Sequence, residues 1–335
     1  MPSMRAGILA DYPAVARELG LDPSAELAAV GLSLRLLAEP DLLVPADSAV
    51  RLLEQSADHA DCPTLALRMA GRRQLAHFGV ASLVLSQQRT VREALRVGFQ
   101  FRHLLNEALA VYLEEIGDTA VIRAEVLTTT PMPAAQSNEL GLAAIVQLIR
   151  AIIGPRWRPR ALHVTHGAPS SLDEHRRRFG CPIEFGSLFN GISFPATDLD
   201  RANPAADPAL ATYAQGFLET LPTPAAGTAA DVKRLIYLLL PMGKATIKTV
   251  AQILGRTVRT LQRELEHDGE TYTSLLNAVR CEQAVRCLAD RRVTLAHVAT
   301  QLGYTSHGSF TRWFITEFGM PPTAWRADRI AHCGP

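Results

Sequence analysis

Apolar and polar positions alternate in several different rhythms along the chain. Between Leu19 and Ala76, apolar residues recur every three or four positions in short runs, the spacing of several short helices. SAVRLLEQSADHA is the clearest of these, with Asp47 or Ser48 placed to cap its start. TVREALRVGFQFRHLLNEA resumes the helical spacing from Thr90, whose hydroxyl stands three residues before Glu93 in a capping-box arrangement. The period then shortens. ALAVYLEEI and TAVIRAEVL flank a Gly117-Asp118 step, which predicts two strands joined by a tight turn. SNELGLAAIVQLIRAIIG returns to helical spacing and is so apolar that burial on most faces is expected, with Gly154-Pro155 as its stop. ALHVT, PIEF and GISF are short strand candidates between turn-rich loops. Residues 1–205 therefore predict one α+β domain.

DPALATYAQGFLETLP adds one more helix, and LPTPAAGTAA after it has the small-residue, proline-containing composition of a linker. Residues 206–230 are thus expected to be a connector helix and linker. From 231 to 330 the spacing is helical throughout, predicting an all-α domain. Within it the phrase V-A-x-x-L-G-x-T occurs twice, as VAQILGRT from Val250 and VATQLGYT from Val298, 48 residues apart.

A helix-turn-helix explains that phrase. The first helix needs a small residue where the second crosses it, and Ala251 and Ala299 supply one each. The turn needs a residue that accepts positive φ, and Gly255 and Gly303 stand there. Thr257 and Ser306 can cap the helices that follow. TYTSLLNAVRCEQAVRCLAD between the copies reads as one long helix that would hold them at fixed separation. Two units are too few for a solenoid, which needs at least about three repeats.

Charge adds a partner class. The net charge is only +1, yet residues 231–335 hold 14 Lys and Arg against 9 Asp and Glu, while the first 230 residues carry an acidic excess. A basic domain on an acidic body suits a polyanion. With 47% hydrophobic and 20% charged residues over 335 positions, the chain is ordinary globular protein, long enough for two domains. No apolar run reaches the ~18–20 residues of a membrane span, and the opening segment makes a poor signal peptide. Five scattered cysteines fit reduced thiols rather than a disulfide framework, so a cytoplasmic location is expected.

The segment VAQILGRTVRTLQREL, the long helix, and VTLAHVATQLGYTSHGSFTRWFITEFGMPPTAWR resembles the DNA-binding domain of the AraC/XylS transcription regulators. LGLDP, PADSAVRLLE and RRRFGCPIEFGSLFNGISFPATDLD resemble the ornithine-regulator-like subgroup, in which an arabinose-binding-like α+β domain precedes the DNA reader. The resemblance implies a double-stranded operator or promoter as partner, RNA polymerase as a second, a small-molecule effector and a homodimer. It places the base-facing positions at Arg259, Gln262 and Arg263 in the first copy, and at His307, Gly308, Ser309 and Arg312 in the second. Arg suits guanine edges and Gln suits adenine. Gly308 has no side chain, so the second helix is expected to be poorer in base readers. Trp313 and Trp325 fall on the apolar stripe with Phe310, Phe314 and Phe318 and are expected in the core.

The α+β domain is expected to sense an effector, mediate dimerisation, or both. Its very apolar helix could wall a pocket, with Arg72, Arg73, His77, Arg102 and His103 as candidate polar groups near it. A protein partner in place of a ligand remains an alternative. His163-x-x-His166 lacks further ligands at usable spacing, so no metal is expected. No catalytic residue or cofactor is expected either, since phosphate-cradling and nucleophile-elbow motifs are missing. A remote alternative is a DNA-repair alkyl-transfer protein, which would need a reactive cysteine; here Cys62 and Cys181 precede proline and no four cysteines cluster.

Overall fold

A computed structural model of the protein describes residues 2–73, 79–101, 104, 106–220, 227–289 and 293–332. His77, Arg102 and His103, with residues 221–226 of the linker, lie outside the described residues. The chain divides into two compact units, residues 1–129 with 133–224, and residues 130–132 with 225–335.

The first unit begins with a two-stranded antiparallel sheet, β1 (Ser3–Arg5) against β2 (Leu43–Pro45). Three short helices lie between these strands: α1 (Tyr12–Glu18), α2 (Pro23–Ala29) and α3 (Leu34–Leu37). Next come α4 (Ala46–His59), α5 (Leu65–Ala70), α6 (Val80–Ser86) and α7 (Val91–Gln100). Neither Asp47 nor Ser48 caps α4. Pro45 holds the N-cap position without a side-chain bond, and the Asp47 carboxylate accepts from the Thr129 N–H at 2.8 Å instead. At α7 the Thr90 hydroxyl accepts from the Glu93 N–H, while the Glu93 carboxylate reaches back to the Arg89 N–H, one residue before the cap. That helix ends at Gln100, short of the stretch its spacing predicts.

β3 (Leu109–Ile116) and β4 (Thr119–Val126) form the expected hairpin, turned at Gly117 with φ +61°. They join β5 (Ala161–Val164), β6 (Ile183–Phe185) and β7 (Gly191–Pro195) in one sheet of order β3-β4-β7-β5-β6, parallel only between β5 and β6. Helix α8 (Ala135–Ile153) packs against β4, α4 and α5, and twelve of its residues are buried. Its first turns are polar yet buried, and each amide there is used. Gln136 accepts from the Ala66 N–H and donates to the Pro63 carbonyl, and Asn138 accepts from the Val126 N–H. Such matching is what lets polar groups enter a core without a desolvation penalty. After α9 (Asp173–Phe179), helix α10 (Pro208–Thr220) packs Ala214 and Leu218 against Val84, Leu85, Val97 and Phe101.

The second unit contains helices only among its described elements: α11 (Thr228–Leu239), α12 (Ile247–Ile253), α13 (Val258–His267), α14 (Tyr272–Ala289), α15 (Leu295–Gln301), α16 (His307–Phe318) and α17 (Pro322–His332). Val232, Ile236 and Leu239 of α11 are buried, as are Val279 and Ala284 of α14, and these two helices pack together. Phe314 stacks on Phe318 with centroids 4.2 Å apart, and Trp325 meets both rings edge-on. Trp313 donates its indole N–H to Asn277 at 2.7 Å. Both tryptophans therefore serve packing, as their place on the apolar stripe predicts.

Candidate nucleic-acid interface and cavity

The pairs α12–α13 and α15–α16 are built alike. Each of the four helices is capped by a hydroxyl from the residue before it. Thr246 accepts from the Thr249 N–H, Thr257 from Thr260, Thr294 from His297 and Ser306 from Ser309. Ala251 and Ala299 are 1% and 3% exposed, which lets the paired helices approach closely. Gly255 and Gly303 have φ +65° and +74°, a left-handed conformation that any side chain would strain.

At 3.6 residues per turn, the α13 face opposite buried Leu261 and Leu265 carries Arg259, Arg263 and Glu266, with Gln262 at its edge. All four are exposed. On α16 the face opposite Phe310 and Phe314 carries Gly308, Arg312 and Ile315, with Thr311 at its edge. Setting Phe310 on Leu261 pairs Gly308 with Arg259, Thr311 with Gln262, Arg312 with Arg263 and Ile315 with Glu266. This register adds Glu266, Thr311 and Ile315 to the two outer faces, positions beyond those that the family resemblance implies. His307 and Ser309 lie to the sides. The His307 ring meets Phe310 edge-on at 6.2 Å, and the Ser309 hydroxyl is bonded to Ser306 at 2.9 Å.

Charge separates these residues from their neighbours. Arg256 is tied to Glu264 at 2.6 Å and to the Leu254 carbonyl. Lys233 pairs with Glu282 and Arg234 with Asp231, and Arg280 lies over the Tyr304 ring at 4.6 Å. Among the described residues, Arg259, Arg263 and Arg312 are exposed and make no ion pair. An exposed fork of N–H donors without an ion-pair partner is what a guanine edge or a phosphate accepts from.

In the first unit, α8 and the β1 strand border a partly open cavity of about 140 Å³. Met4, Ile8, Leu53, Leu109, Val126, Leu140, Gly141, Ala144 and Leu148 line it, and Arg5 and Arg73 also border it. Arg73 is 8% exposed and donates to the Ile8 carbonyl, and burial pushes its pKa down to about 10 against the opposing charge of Asp11. Arg5 pairs with Asp41, whose side chain is 85% exposed. Arg72 is not part of the lining. It is exposed and paired with Glu18.

His163 bonds Glu184 and Ser193, while His166 and His175 both reach Glu139 Oε1, at 3.0 and 2.6 Å. Burial alone would raise the pKa of Glu139, but the two imidazoles outweigh it and hold the carboxyl below its usual range. Burial likewise opposes, and Glu139 overcomes, the rise at His166. Glu54 nearby is pushed up to about 7 by burial. No group of three or more potential ligands forms a metal site among the described residues. Burial pushes the Cys181 and Cys281 thiols up to about 11, opposite to what a nucleophile requires. No described helix is long and apolar enough to cross a membrane.

Residues 20–203 match the family described as the arabinose-binding domain of AraC transcription regulators, and residues 250–328 match a helix-turn-helix domain family. The chain is 29% identical to the HTH-type transcriptional regulator VirS of Mycobacterium tuberculosis over 97% of its length and 96% of that protein. It is 24% identical to the ornithine utilization regulator of Pseudomonas aeruginosa over 79% of this chain and 78% of the other. Among solved structures, the transcriptional regulator CdpR from Pseudomonas aeruginosa aligns over 93% of this chain and 97% of its own, at 20% identity and a TM-score of 0.40.

Proposed function

We propose that this chain, which belongs to the AraC family of DNA-binding transcription regulators, grips its operator with both helix-turn-helix units and reads it unequally. The observation that carries this reading is the pair of exposed faces on α13 and α16, capped alike but bearing different side chains. Successive major-groove segments on one side of a duplex lie about 34 Å apart, and a continuous α14 between the two units suits that arrangement. Arg259, Gln262 and Arg263 read base edges. Arg312 holds a phosphate, His307 and Ser309 stay at the rim, and the second unit contributes position more than sequence.

The first domain senses a small molecule, and the largely apolar cavity beside α8, which Arg73 borders, supports that role. An effector there couples to DNA binding by about 1–3 kcal/mol. Tyr213 and Phe217, one turn apart on α10 and 79% and 47% exposed, form an apolar face suited to a second copy, so the regulator works as a homodimer. It acts in the cytoplasm beside RNA polymerase and performs no catalysis of its own.

The test is fluorescence anisotropy of the full-length protein on an operator selected from random duplexes, against scrambled DNA over a range of salt. Specific binding with a steep salt slope supports the reading. Equal affinity for operator and scrambled DNA refutes it.

A further inference from the structure

We infer that the cavity beside α8 receives a small neutral molecule, an apolar body bearing one hydroxyl or carbonyl oxygen that meets the Ser137 hydroxyl. The inference rests on the effector-sensing role proposed above and names the chemistry of that effector.

One stripe of α8 builds the wall. Ser137, Leu140, Gly141, Ala144, Ile145 and Leu148 recur at helical spacing, and all of them border the cavity. Three of the six are small, which leaves room between the helix and the leucines facing it. A Cβ added to Gly141 would come within 3.4 Å of the Leu109 side chain on β3, so that strand closes the opposite side. The space amounts to about 140 Å³, and an apolar void of ~150 Å³ is known to take one benzene ring. The body therefore has about six carbon atoms.

Charge is excluded by what the two bordering arginines already do. Arg5 pairs with Asp41, and Arg73 donates to the Ile8 carbonyl with Asp11 opposing its charge. A carboxylate would have to displace those partners, and an ammonium would meet no acid on the lining. An ion of either sign loses its water here without gaining a partner.

The polar side chains on the lining are unequal. Ser82 donates to the Gly79 carbonyl at 2.7 Å, and Asn106 Oδ1 accepts from the Ala108 N–H at 2.9 Å. Ser137 differs from both. It is 8% exposed and borders the cavity, and among the described residues its hydroxyl has no hydrogen-bond partner. Buried hydroxyls are ordinarily bonded, and a hydroxyl can both donate and accept. A single alcohol, phenol or carbonyl oxygen matches it. A sugar or a diamino acid brings more polar groups than one hydroxyl satisfies, and each unmatched group weakens binding.

The experiment measures binding of phenol, toluene and benzoate to the full-length protein by calorimetry. Toluene replaces the phenol hydroxyl with a methyl group, and benzoate replaces it with a charge. Two variants accompany the wild type: Ser137→Ala, which removes the hydroxyl, and Ala144→Leu, which fills the cavity from α8. The expected result is binding of phenol and toluene, no binding of benzoate, and loss of all binding in Ala144→Leu. In Ser137→Ala, phenol should weaken about tenfold relative to toluene, while the ligand-free protein melts at the same temperature or higher. An unchanged ratio of phenol to toluene overturns the role of Ser137, and so does a lowered melting temperature, which would give that hydroxyl a structural partner. Benzoate binding as tightly as phenol overturns the neutral class. If neither phenol nor toluene binds, the ligand class falls, and an operator-driven reporter then tests the sensing role by itself. Should Ala144→Leu alter reporter output, sensing survives with a different ligand. If output is unchanged, both fall.

Discussion

The copy around Gly255 and the copy around Gly303 close the same turn under different constraints. Nothing lies within 4 Å of a Cβ built on Gly255, whereas one on Gly303 would sit 2.9 Å from the Leu240 carbonyl oxygen. The first turn is open, the second pressed against the core of its domain. Leu254 is half-buried, and its counterpart Leu302 is 0% exposed. The outer faces reverse this order. The open copy shows Arg259, Gln262 and Arg263, and the packed copy shows Gly308, Thr311 and Arg312. One copy is anchored and chemically plain, the other loosely braced and rich in donors. The difference teaches that a repeated fold can be kept while the packing and the exposed chemistry of its copies drift apart.

The sharpest way to break this contrast is at its paired arginines. Arg263→Ala is expected to weaken specific binding by about 1–3 kcal/mol per half-site, with the loss confined to one base position. Arg312→Ala is expected to lower affinity evenly across sequences, as loss of a phosphate contact does. Anisotropy titrations on the operator and on single-base variants distinguish these patterns. An Arg263 variant with undiminished discrimination between operator and random DNA would sink the assignment.

The turns come next. Gly255→Ala is expected to cost about 1–2 kcal/mol from the left-handed backbone alone. Gly303→Ala adds a collision with the Leu240 carbonyl and should cost about 3 kcal/mol. Denaturant melts of the full-length protein report both, and equal losses would show that Leu240 yields freely.

How much of this was readable beforehand differs between the domains for a physical reason. The second domain was legible because its constraints are local. An alanine at a crossing, a glycine at a positive φ and a hydroxyl at a cap are each fixed by neighbours within a few residues, so Ala251, Gly255 and Thr257 announce themselves. The strands β3 to β7 were legible for the same reason, through alternation and the Gly117 turn. Non-local contacts left no such mark. The pairing of Ser3–Arg5 with Leu43–Pro45 joins short segments about forty residues apart, and Asp47, read as a cap, instead serves Thr129 across the fold. Arg72 and Arg73 are neighbours in sequence with equal claims to a pocket. Only the fold sends one to Glu18 at the surface and the other to the cavity.

The caps offer a control in which the copies should agree. Thr257 and Ser306 accept from their third residues at 3.1 and 3.2 Å. Thr257→Ala and Ser306→Ala should each cost about 1 kcal/mol of stability. Should one cap cost far more than the other, the two units would differ in architecture as well as in chemistry, and the contrast between reading and holding would need a structural cause.

The smallest expected effect lies at Ile315, 41% exposed on a face where α13 carries Glu266. If α16 faces DNA as proposed, an exposed β-branched hydrocarbon on it has one base feature to meet, the methyl group of thymine, whereas a carboxylate at the matching position can accept from the cytosine amino group. Truncation to alanine removes three carbon atoms, but their burial against a single methyl is partial, so Ile315→Ala should cost only about 0.5 kcal/mol. The informative quantity is where that loss falls. It should appear at one thymine of the second half of the site and vanish when uracil replaces that thymine, since uracil lacks the methyl. A loss that persists with uracil would make Ile315 a packing residue and leave the second unit with no base reading of its own.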